Sequence, residues 1–305
     1  MVILMSSTFN PSPELPEEVS DAAQSGMLVI FIGAGISRLV GCPSWNGFAT
    51  AVLNQLTPSV IDYHEKSLID SMPDPRKKLS LAKILEEENG ITIDYKKIFE
   101  VGTPKSDIYS HINRLSCTFV TTNYDKFINP EISATKSEEK WRFYNIEDIL
   151  RDKLDDQGNV IHLHGCVDNP KSMIVTTKDY LSHYSSEEIH NFLEYMFINK
   201  TVLFLGYGLE EIEILEYILK CSNKNKMKEK KLFILQGFFN AEIALFEKLK
   251  KYYYQSFNAI LIGFPKDYHE YEEQKEIIKC WANKLSFSSI EIVDELKAME
   301  EELNG

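Results

Sequence analysis

Short apolar runs alternate with amphipathic stretches along most of the chain. Residues 27–32, MLVIFI, form a continuous apolar run that is typical of a strand buried on both faces. Comparable runs recur at 118–121, 160–163, 201–205, 231–235 and 259–262, and helical periodicity fills the intervals, as at 211–219 and 241–249. This alternation predicts an α/β fold with a Rossmann-like, mainly parallel sheet and helices on both faces.

The stretch between the first two predicted strands is different. Residues 58–116 have a mostly helical pattern, interrupted by Pro73, Pro75 and Pro104, and contain no strong strand. We interpret them as a mostly helical insertion between the first two strands. The whole chain, 1–305, is expected to form one domain.

Both ends of the chain carry helical signals. Ser12 followed by Pro13 predicts the start of a first helix, and Gly26 predicts its end. Helices are expected again over about 268–305. The last of them has an apolar stripe at 4-3-4 spacing, which predicts a core or subunit contact; its members are Ile292, Leu296, Met299 and Leu303.

Composition narrows the class of protein. The 305 residues carry a formal net charge of −13, which argues against a protein that coats nucleic acid by charge. No apolar run approaches the ~20 residues that span a bilayer, so no membrane association is expected. The MVILM start is too short for a signal-peptide core, and we therefore expect a cytoplasmic protein. The five cysteines form no C-x-x-C pair, which argues against structural zinc and disulfides.

A glycine loop directly follows the first predicted strand. It reads Gly33-Ala34-Gly35-Ile36-Ser37. Glycines let a backbone approach a pyrophosphate closely, and a following helix start offers N–H groups to phosphates. A plain structural turn explains the same residues, and the G-x-G-x-x-G fingerprint is absent because Arg38 stands at the third glycine position.

A second polar segment follows the strand at 118–121. Thr121, Asn123 and Asp125 alternate along TTNYD, at the strand end where ligands of open α/β sheets bind. An amide and a carboxylate there can hold a ribose or a carboxamide. The alternative is an Asx turn or a helix cap built by the same side chains.

Two histidines lie at the end of the strand at 160–163. His162 and His164 face the same side of an extended strand, and His164 precedes a glycine at the strand end. Histidine titrates near neutral pH and can accept a proton from a sugar hydroxyl. The alternatives are a structural pair of histidines and a metal site that includes Cys166. No further metal-ligating residue is evident, and we predict no metal.

A final glycine turn, Gly206-Tyr207-Gly208, ends the strand at 201–205. It suits close approach of the backbone to a ligand, and a helix-initiating turn is the ordinary alternative. All four motifs fall where a buried strand gives way to a loop, so all could line one crevice.

In order and composition, the motifs resemble those of the sirtuin family. The family pattern has G-A-G-x-S, G-x-P, T-x-N-x-D, H-G and a glycine-rich turn. The corresponding residues here are 33–37, 41–43 (Gly-Cys-Pro), 121–125, 164–165 and 206–208. The resemblance covers roughly residues 27–219 and extends to the predicted strand at 231–235.

The departures from protein-deacylating sirtuins are specific. No zinc module with two C-x-x-C pairs follows His164-Gly165, and Ser44-Trp45-Asn46 stands where deacylases carry D-F-R. With these departures, the sequence is similar to the sirtuin-like domains of bacterial antiphage systems. The resemblance implies an NAD+ glycohydrolase that cleaves NAD+ to ADP-ribose and nicotinamide in infected cells. It also implies a homo-oligomer, with a HerA-type ATPase or another separate sensor subunit as a candidate partner.

The same resemblance suggests roles for individual residues. Asn123 would position the nicotinamide ribose and the attacking water, and His164 would bond ribose hydroxyls and act as general base. Asp125 would bind the nicotinamide carboxamide or stabilise the cation. Predicted NAD+-binding residues are Gly33, Ala34, Gly35, Ser37, Trp45, Thr121, Gly206, Tyr207 and Gly208. A place in the apolar core is an equally good interpretation of Trp45. Glu210, close to the last glycine turn, is interpreted as a helix-start residue.

Three other functions use the same motifs. An NAD+-dependent transferase, either deacylase or ADP-ribosyltransferase, would share the NAD+ site. A sensing module would bind NAD+ or ADP-ribose without turnover, and a structural partner would carry a vestigial crevice. The missing zinc module argues against the deacylase, and the intact Asn123 and His164 pair argues against the sensor.

Overall fold

The structure, a computed structural model, describes residues 9–131, 142–208, 212–223, 231–267, 271–286 and 292; the side chains of 212, 213, 222 and 223 are not described. Within those residues, the seven strands pair in parallel to form one sheet. They are β1 (Leu28–Ile32), β2 (Thr118–Thr121), β3 (Arg142–Phe143), β4 (Val160–His162), β5 (Thr201–Leu205), β6 (Leu232–Phe238) and β7 (Ala259–Pro265).

Helices cover both faces of this sheet. Those in the described part of the chain are α1 (Glu17–Gln24), α2 (Ala34–Val40), α3 (Trp45–Leu56), α4 (Tyr63–Asp70), α5 (Pro75–Asn89), α6 (Tyr95–Phe99), α7 (Ile108–Ile112), α8 (Thr177–Tyr184), α9 (Glu187–Asn199), α10 (Ile212–Asn223), α11 (Ile243–Phe257) and α12 (Glu272–Leu285). The predicted α/β, Rossmann-like fold with a mainly parallel sheet is confirmed.

Two apolar clusters cover the two faces of the sheet, and a third lies beyond its edge. Side chains of α1, α2, α7 and α12 pack on one face, and those of α9, α10 and α11 pack on the other. The third cluster joins α3, α5 and α6 to the segment 166–175. Helices α2 to α7 lie between β1 and β2, and α4 to α7 fall within the stretch 58–116 that the sequence predicts as a helical insertion.

The strand order β3-β4-β2-β1-β5-β6-β7 contains a switch point between β1 and β5. From β1 the chain builds β2, β3 and β4 on one side, and then returns to build β5, β6 and β7 on the other. The helix after β1 packs on one face and the helix after β5 packs on the opposite face. Crevices for ligands form at the carboxyl ends of strands at such a switch point.

Two details of the sequence prediction were wrong. The first helix begins at Glu17 rather than near Pro13, because Pro16 stands at its N-cap and the carbonyl of Pro13 accepts a hydrogen bond from Trp281 Nε1. Strand β3 was missed because it has only two residues, neither fully buried. The apolar stripe predicted for the last helix lies outside the described residues, apart from the exposed Ile292.

Candidate functional site

The carboxyl ends of four strands are aligned in one row. In the strand register, Ile32 pairs with both Thr121 and Leu205, and Thr121 pairs with His162. The residues that follow these four positions therefore emerge at the same edge of the sheet. This alignment brings all four predicted motifs to one region.

The two glycine turns are packed directly against each other at the switch point. The N–H of Gly35 donates to the carbonyl of Gly206 at 2.8 Å, and that of Gly33 donates to Leu205 at 2.9 Å. A Cβ on Gly33 would lie 2.6 Å from the Gly206 oxygen, and Gly206 itself has φ of 61°. Contact between the loops thus explains these glycines structurally, while Ala34 and Gly35 keep partly exposed surface.

Asn123 faces this glycine loop. Its side-chain Nδ2 donates to the Gly33 carbonyl at 3.0 Å and to Ser37 Oγ at 2.7 Å. Thr121 fixes the position of Asn123 beside this loop, because its hydroxyl donates to the Ile32 carbonyl and accepts from the Asn123 N–H. The structure therefore brings Asn123, Ser37 and the glycine loop together, as the sequence predicts. The Thr121 hydroxyl is used for hydrogen bonds to the protein's own backbone.

Asp125 belongs to the same buried network. Ser37 Oγ donates to its Oδ2 at 2.6 Å and lies 3.0 Å from Tyr109 Oη. Burial raises the pKa of Asp125 above its usual value, although the hydrogen bonds from Ser37 and the Phe127 N–H oppose the shift. Burial also raises the pKa of Tyr109 far above its ordinary range. Burial therefore disfavours the charged form of Asp125, while the network partly compensates by donating hydrogen bonds to the carboxylate.

His162 supports Asn123 from the neighbouring strand. Its Nδ1–H donates to the backbone carbonyl of Asn123 at 2.9 Å. Burial lowers the pKa of His162 to about 4, so the ring is neutral. Its buried Nε2 has no hydrogen-bond partner among the described residues. The structural alternative considered for this histidine fits its contacts.

His164 contacts α8 rather than the Asn123 side chain. Its Nε2 lies 2.7 Å from Tyr184 Oη and its Nδ1 lies 3.1 Å from Tyr180 Oη. Burial lowers the pKa of His164 well below its usual value. The loops that carry His164 and Asn123 are adjacent, since the Val167 N–H donates to the Tyr124 carbonyl at 3.0 Å.

The loop after His164 folds back sharply. Gly165 has φ of 81°, and a Cβ there would lie 2.1 Å from the carbonyl oxygen of Ser172. No side chain fits at this position, which explains why glycine follows the histidine. The Ile174 N–H then donates to the His164 carbonyl at 2.9 Å and fixes the backbone of the loop.

The remaining predicted residues lie around this region. Trp45 is half-buried and packs against Tyr124 and Tyr180, with ring centroids 5.9 and 6.1 Å away. The ring of Tyr207 packs in the core against Phe31, 4.9 Å away. Gly208 is exposed, and Glu210 lies outside the described residues.

A separate groove of about 760 Å³ lies elsewhere, between α9 and the segment 149–152. It contains none of the predicted site residues. Within the described residues, no cluster of three or more His, Cys, Asp or Glu could hold a metal ion. No helix there is long and apolar enough to cross a membrane.

Sequence reasoning missed Tyr180 and Tyr184, and it left the role of His162 open between alternatives. Tyr180 and Tyr184 are four residues apart, so a helix places both on one face. That spacing was the available signal, but nothing in it indicated that the face meets His164. The pairing of Thr121 with His162 likewise appears only when the strands are in register.

Two comparisons with known proteins show what the chain is similar to. Residues 117–256 match the family model of the SIR2-like domain, which includes the Asn123 and His164 loops. The chain is 23% identical over 218 residues to "Defense-associated sirtuin 2" of Bacillus subtilis. That alignment covers 66% of this chain and 20% of the relative, so the chain spans about a fifth of the relative's length. The resemblance to sirtuin-like defence domains is confirmed.

Proposed function

We propose that this chain is an NAD+ hydrolase that cleaves the bond between nicotinamide and ribose. The observation that carries the proposal is the position of the Asn123 amide, which is buried beside the switch point and donates hydrogen bonds to both Gly33 and Ser37. Dinucleotides bind at this position in related sheet topologies. The match to the SIR2-like domain supports NAD+ as the nucleotide.

The substrate would lie along the aligned strand ends. The diphosphate would bind near the partly exposed Ala34 and Gly35, and the adenosine ribose near Gly206 and Gly208. Trp45 would border the nicotinamide end of the substrate, where its ring packs against that of Tyr124. Thr121 and Tyr207 would act indirectly, by shaping the strand ends that carry the loops.

The reaction breaks the C–N bond between the anomeric carbon and nicotinamide. Nicotinamide leaves as a neutral group with the bonding electron pair, and the sugar passes through a cation-like transition state. A water oxygen then bonds to the anomeric carbon and loses one proton. Asn123 would hold the ribose and this water in line, and His164, neutral because of its burial, would accept a proton as general base.

Asp125 has two candidate roles, and its surroundings favour one of them. Burial raises its pKa and so disfavours the charged carboxylate relative to the neutral acid, which both donates and accepts hydrogen bonds. A neutral acid suits the nicotinamide carboxamide better than it suits a cation. We therefore assign Asp125 to the carboxamide.

The biological role proposed is antiphage defence by depletion of NAD+ in the infected bacterial cytoplasm. The similarity to a protein named as a defence-associated sirtuin supports that role. A homo-oligomer and a separate sensor subunit, such as a HerA-type ATPase, stay predictions. Light scattering of the purified chain, alone and mixed with a candidate ATPase, measures both.

Chromatography of NAD+ incubated with the purified protein tests the activity. The proposal predicts equal amounts of nicotinamide and ADP-ribose, with no change on adding EDTA. A second arm adds extract from phage-infected bacteria as a source of activator. Consumption of NAD+ that requires an acyl-lysine peptide, and yields O-acyl-ADP-ribose, would instead identify a transferase. Binding of NAD+ without consumption in either arm would identify a sensing module.

A further inference from the structure

The imidazole of His164 is enclosed by two tyrosines of α8. Tyr184 Oη lies 2.7 Å from Nε2, and Tyr180 Oη lies 3.1 Å from Nδ1. The His164 side chain has 0% exposure. A substrate hydroxyl can therefore bond to His164 only after one of these two hydroxyls leaves.

Tyr180 is the more firmly held of the pair. It is buried, the Arg76 guanidinium lies 5.1 Å from its ring centroid, and the Trp45 ring packs 6.1 Å away. A cation above an aromatic face and an aromatic neighbour both stabilise this ring position. These contacts hold the Tyr180 ring beside Nδ1.

Tyr184 is placed to move. It is half-buried and is the last residue of α8, so its ring is less enclosed than that of Tyr180. The helix backbone is tied at both ends, because Ser80 Oγ accepts from the Thr177 N–H and Tyr217 Oη donates to the Tyr184 carbonyl. The Tyr184 hydroxyl can thus leave by rotation of its side chain while the helix stays in place.

We propose that Tyr184 is a gate whose hydroxyl occupies the position of a ribose hydroxyl on His164 Nε2 until the dinucleotide displaces it. Tyr180 is a positioning residue that keeps Nδ1 bonded and the ring oriented. This inference rests on the proposed NAD+ site. A phenol and a sugar hydroxyl make the same kind of hydrogen bond, so the exchange keeps Nε2 satisfied.

Calorimetric titration with carba-NAD+, an uncleavable analogue that keeps the ribose hydroxyls, tests the gate. Tyr184→Phe should bind it about fivefold more tightly than wild type, because the free protein loses a hydrogen bond that the ligand restores. Tyr180→Phe should bind within about twofold of wild type, while its kcat for nicotinamide release falls. The matched control is Tyr195→Phe on α9, whose hydroxyl contacts Asp155; it should change neither quantity.

Each outcome separates the gate from the proposed function. Binding by wild type that is equal to or tighter than binding by Tyr184→Phe overturns the gate and leaves the proposed function standing. Absence of binding by both proteins overturns the proposed function and the gate with it. If Tyr184→Phe does not fold, Tyr184→Leu, which also removes the hydroxyl from His164 Nε2, must tighten binding in the same direction; unchanged binding overturns the gate.

Discussion

The side-chain amide of Asn123 donates a hydrogen bond to Ser37 Oγ at 2.7 Å, although the two residues are 86 positions apart in the chain. The bond links the loop after β2 to the helix after β1. Ser37 also donates to Asp125, so one hydroxyl connects two of the proposed site residues. The orientation of Asn123 therefore depends on Ser37.

Replacing Ser37 by alanine should destabilise the protein and slow NAD+ cleavage. The change leaves a buried donor on Asn123 and a buried acceptor on Asp125 without this partner, and we expect a loss of about 2 kcal/mol in unfolding free energy. Urea denaturation measures it. Ser71→Ala removes an exposed hydroxyl that donates to the Leu68 carbonyl and should stay within about 0.5 kcal/mol of wild type. Equal stability of the two variants would contradict the network.

The contact between the glycine turns can be measured with two alanine substitutions. Gly206 and Gly90 have nearly the same positive φ, 61° and 62°. A Cβ on Gly206 would lie 2.5 Å from the backbone N of Ile36, whereas one on Gly90 would meet nothing within 4 Å. Gly90→Ala should therefore cost about 1 kcal/mol from backbone strain, and Gly206→Ala about 3 kcal/mol. Equal costs would mean that the loops do not touch in solution.

Asp125→Asn should stabilise the protein at neutral pH while lowering its activity. Burial raises the pKa of Asp125, so the folded state prefers the neutral acid and loses stability as rising pH removes the proton. Asparagine does not ionise. The stability advantage of the variant over wild type should therefore grow as the pH rises from about 4, the ordinary pKa of an aspartate, towards neutral. Thermal unfolding across that range measures it, and an advantage that shrinks with rising pH would refute the assignment.

His183 gives a pH dependence of the opposite sign. Its ring is buried, and neither nitrogen has a hydrogen-bond partner within the described part of the chain. Burial lowers the pKa of His183 to about 4, so the unfolded chain binds a proton that the folded protein does not, as the pH falls from 6.5 towards that value. His183→Phe should add about 1 kcal/mol at neutral pH, and more on acidification. An advantage that stays constant down to about pH 4.5 would show that His183 is not buried as a neutral ring.

The sheet could be predicted from the sequence because its strands are buried on both faces. Apolar runs identified β2 and β5 with both ends correct, and the order of motifs indicated one shared edge. The two-residue strand β3 has no such apolar run, so no local sequence pattern indicated it. The start of α1 was misplaced because its position depends on a contact with Trp281, at the other end of the chain.

The sequence predicted which loops lie next to one another, but not the contacts that their side chains make. Loop positions followed from strand ends, so Asn123 and His164 could be assigned to neighbouring loops. Which partner each side chain takes depends on helix α8, whose tyrosines carry no motif of their own. Thr121 and the two glycine turns form hydrogen bonds with other parts of the protein. These contacts also depend on the strand register, which a single sequence does not reveal.

The rate of nicotinamide release by Asn123→Ala tests the central claim most directly. Its matched control is Asn159→Ala, which removes another buried amide that donates to a backbone carbonyl, that of Lys153, away from the proposed site. With both variants shown to be folded by circular dichroism, Asn123→Ala should lose about a hundredfold or more in rate because the ribose and water are no longer held in line, while Asn159→Ala keeps the activity of its folded fraction. Wild-type rates of nicotinamide release by folded Asn123→Ala would contradict the account.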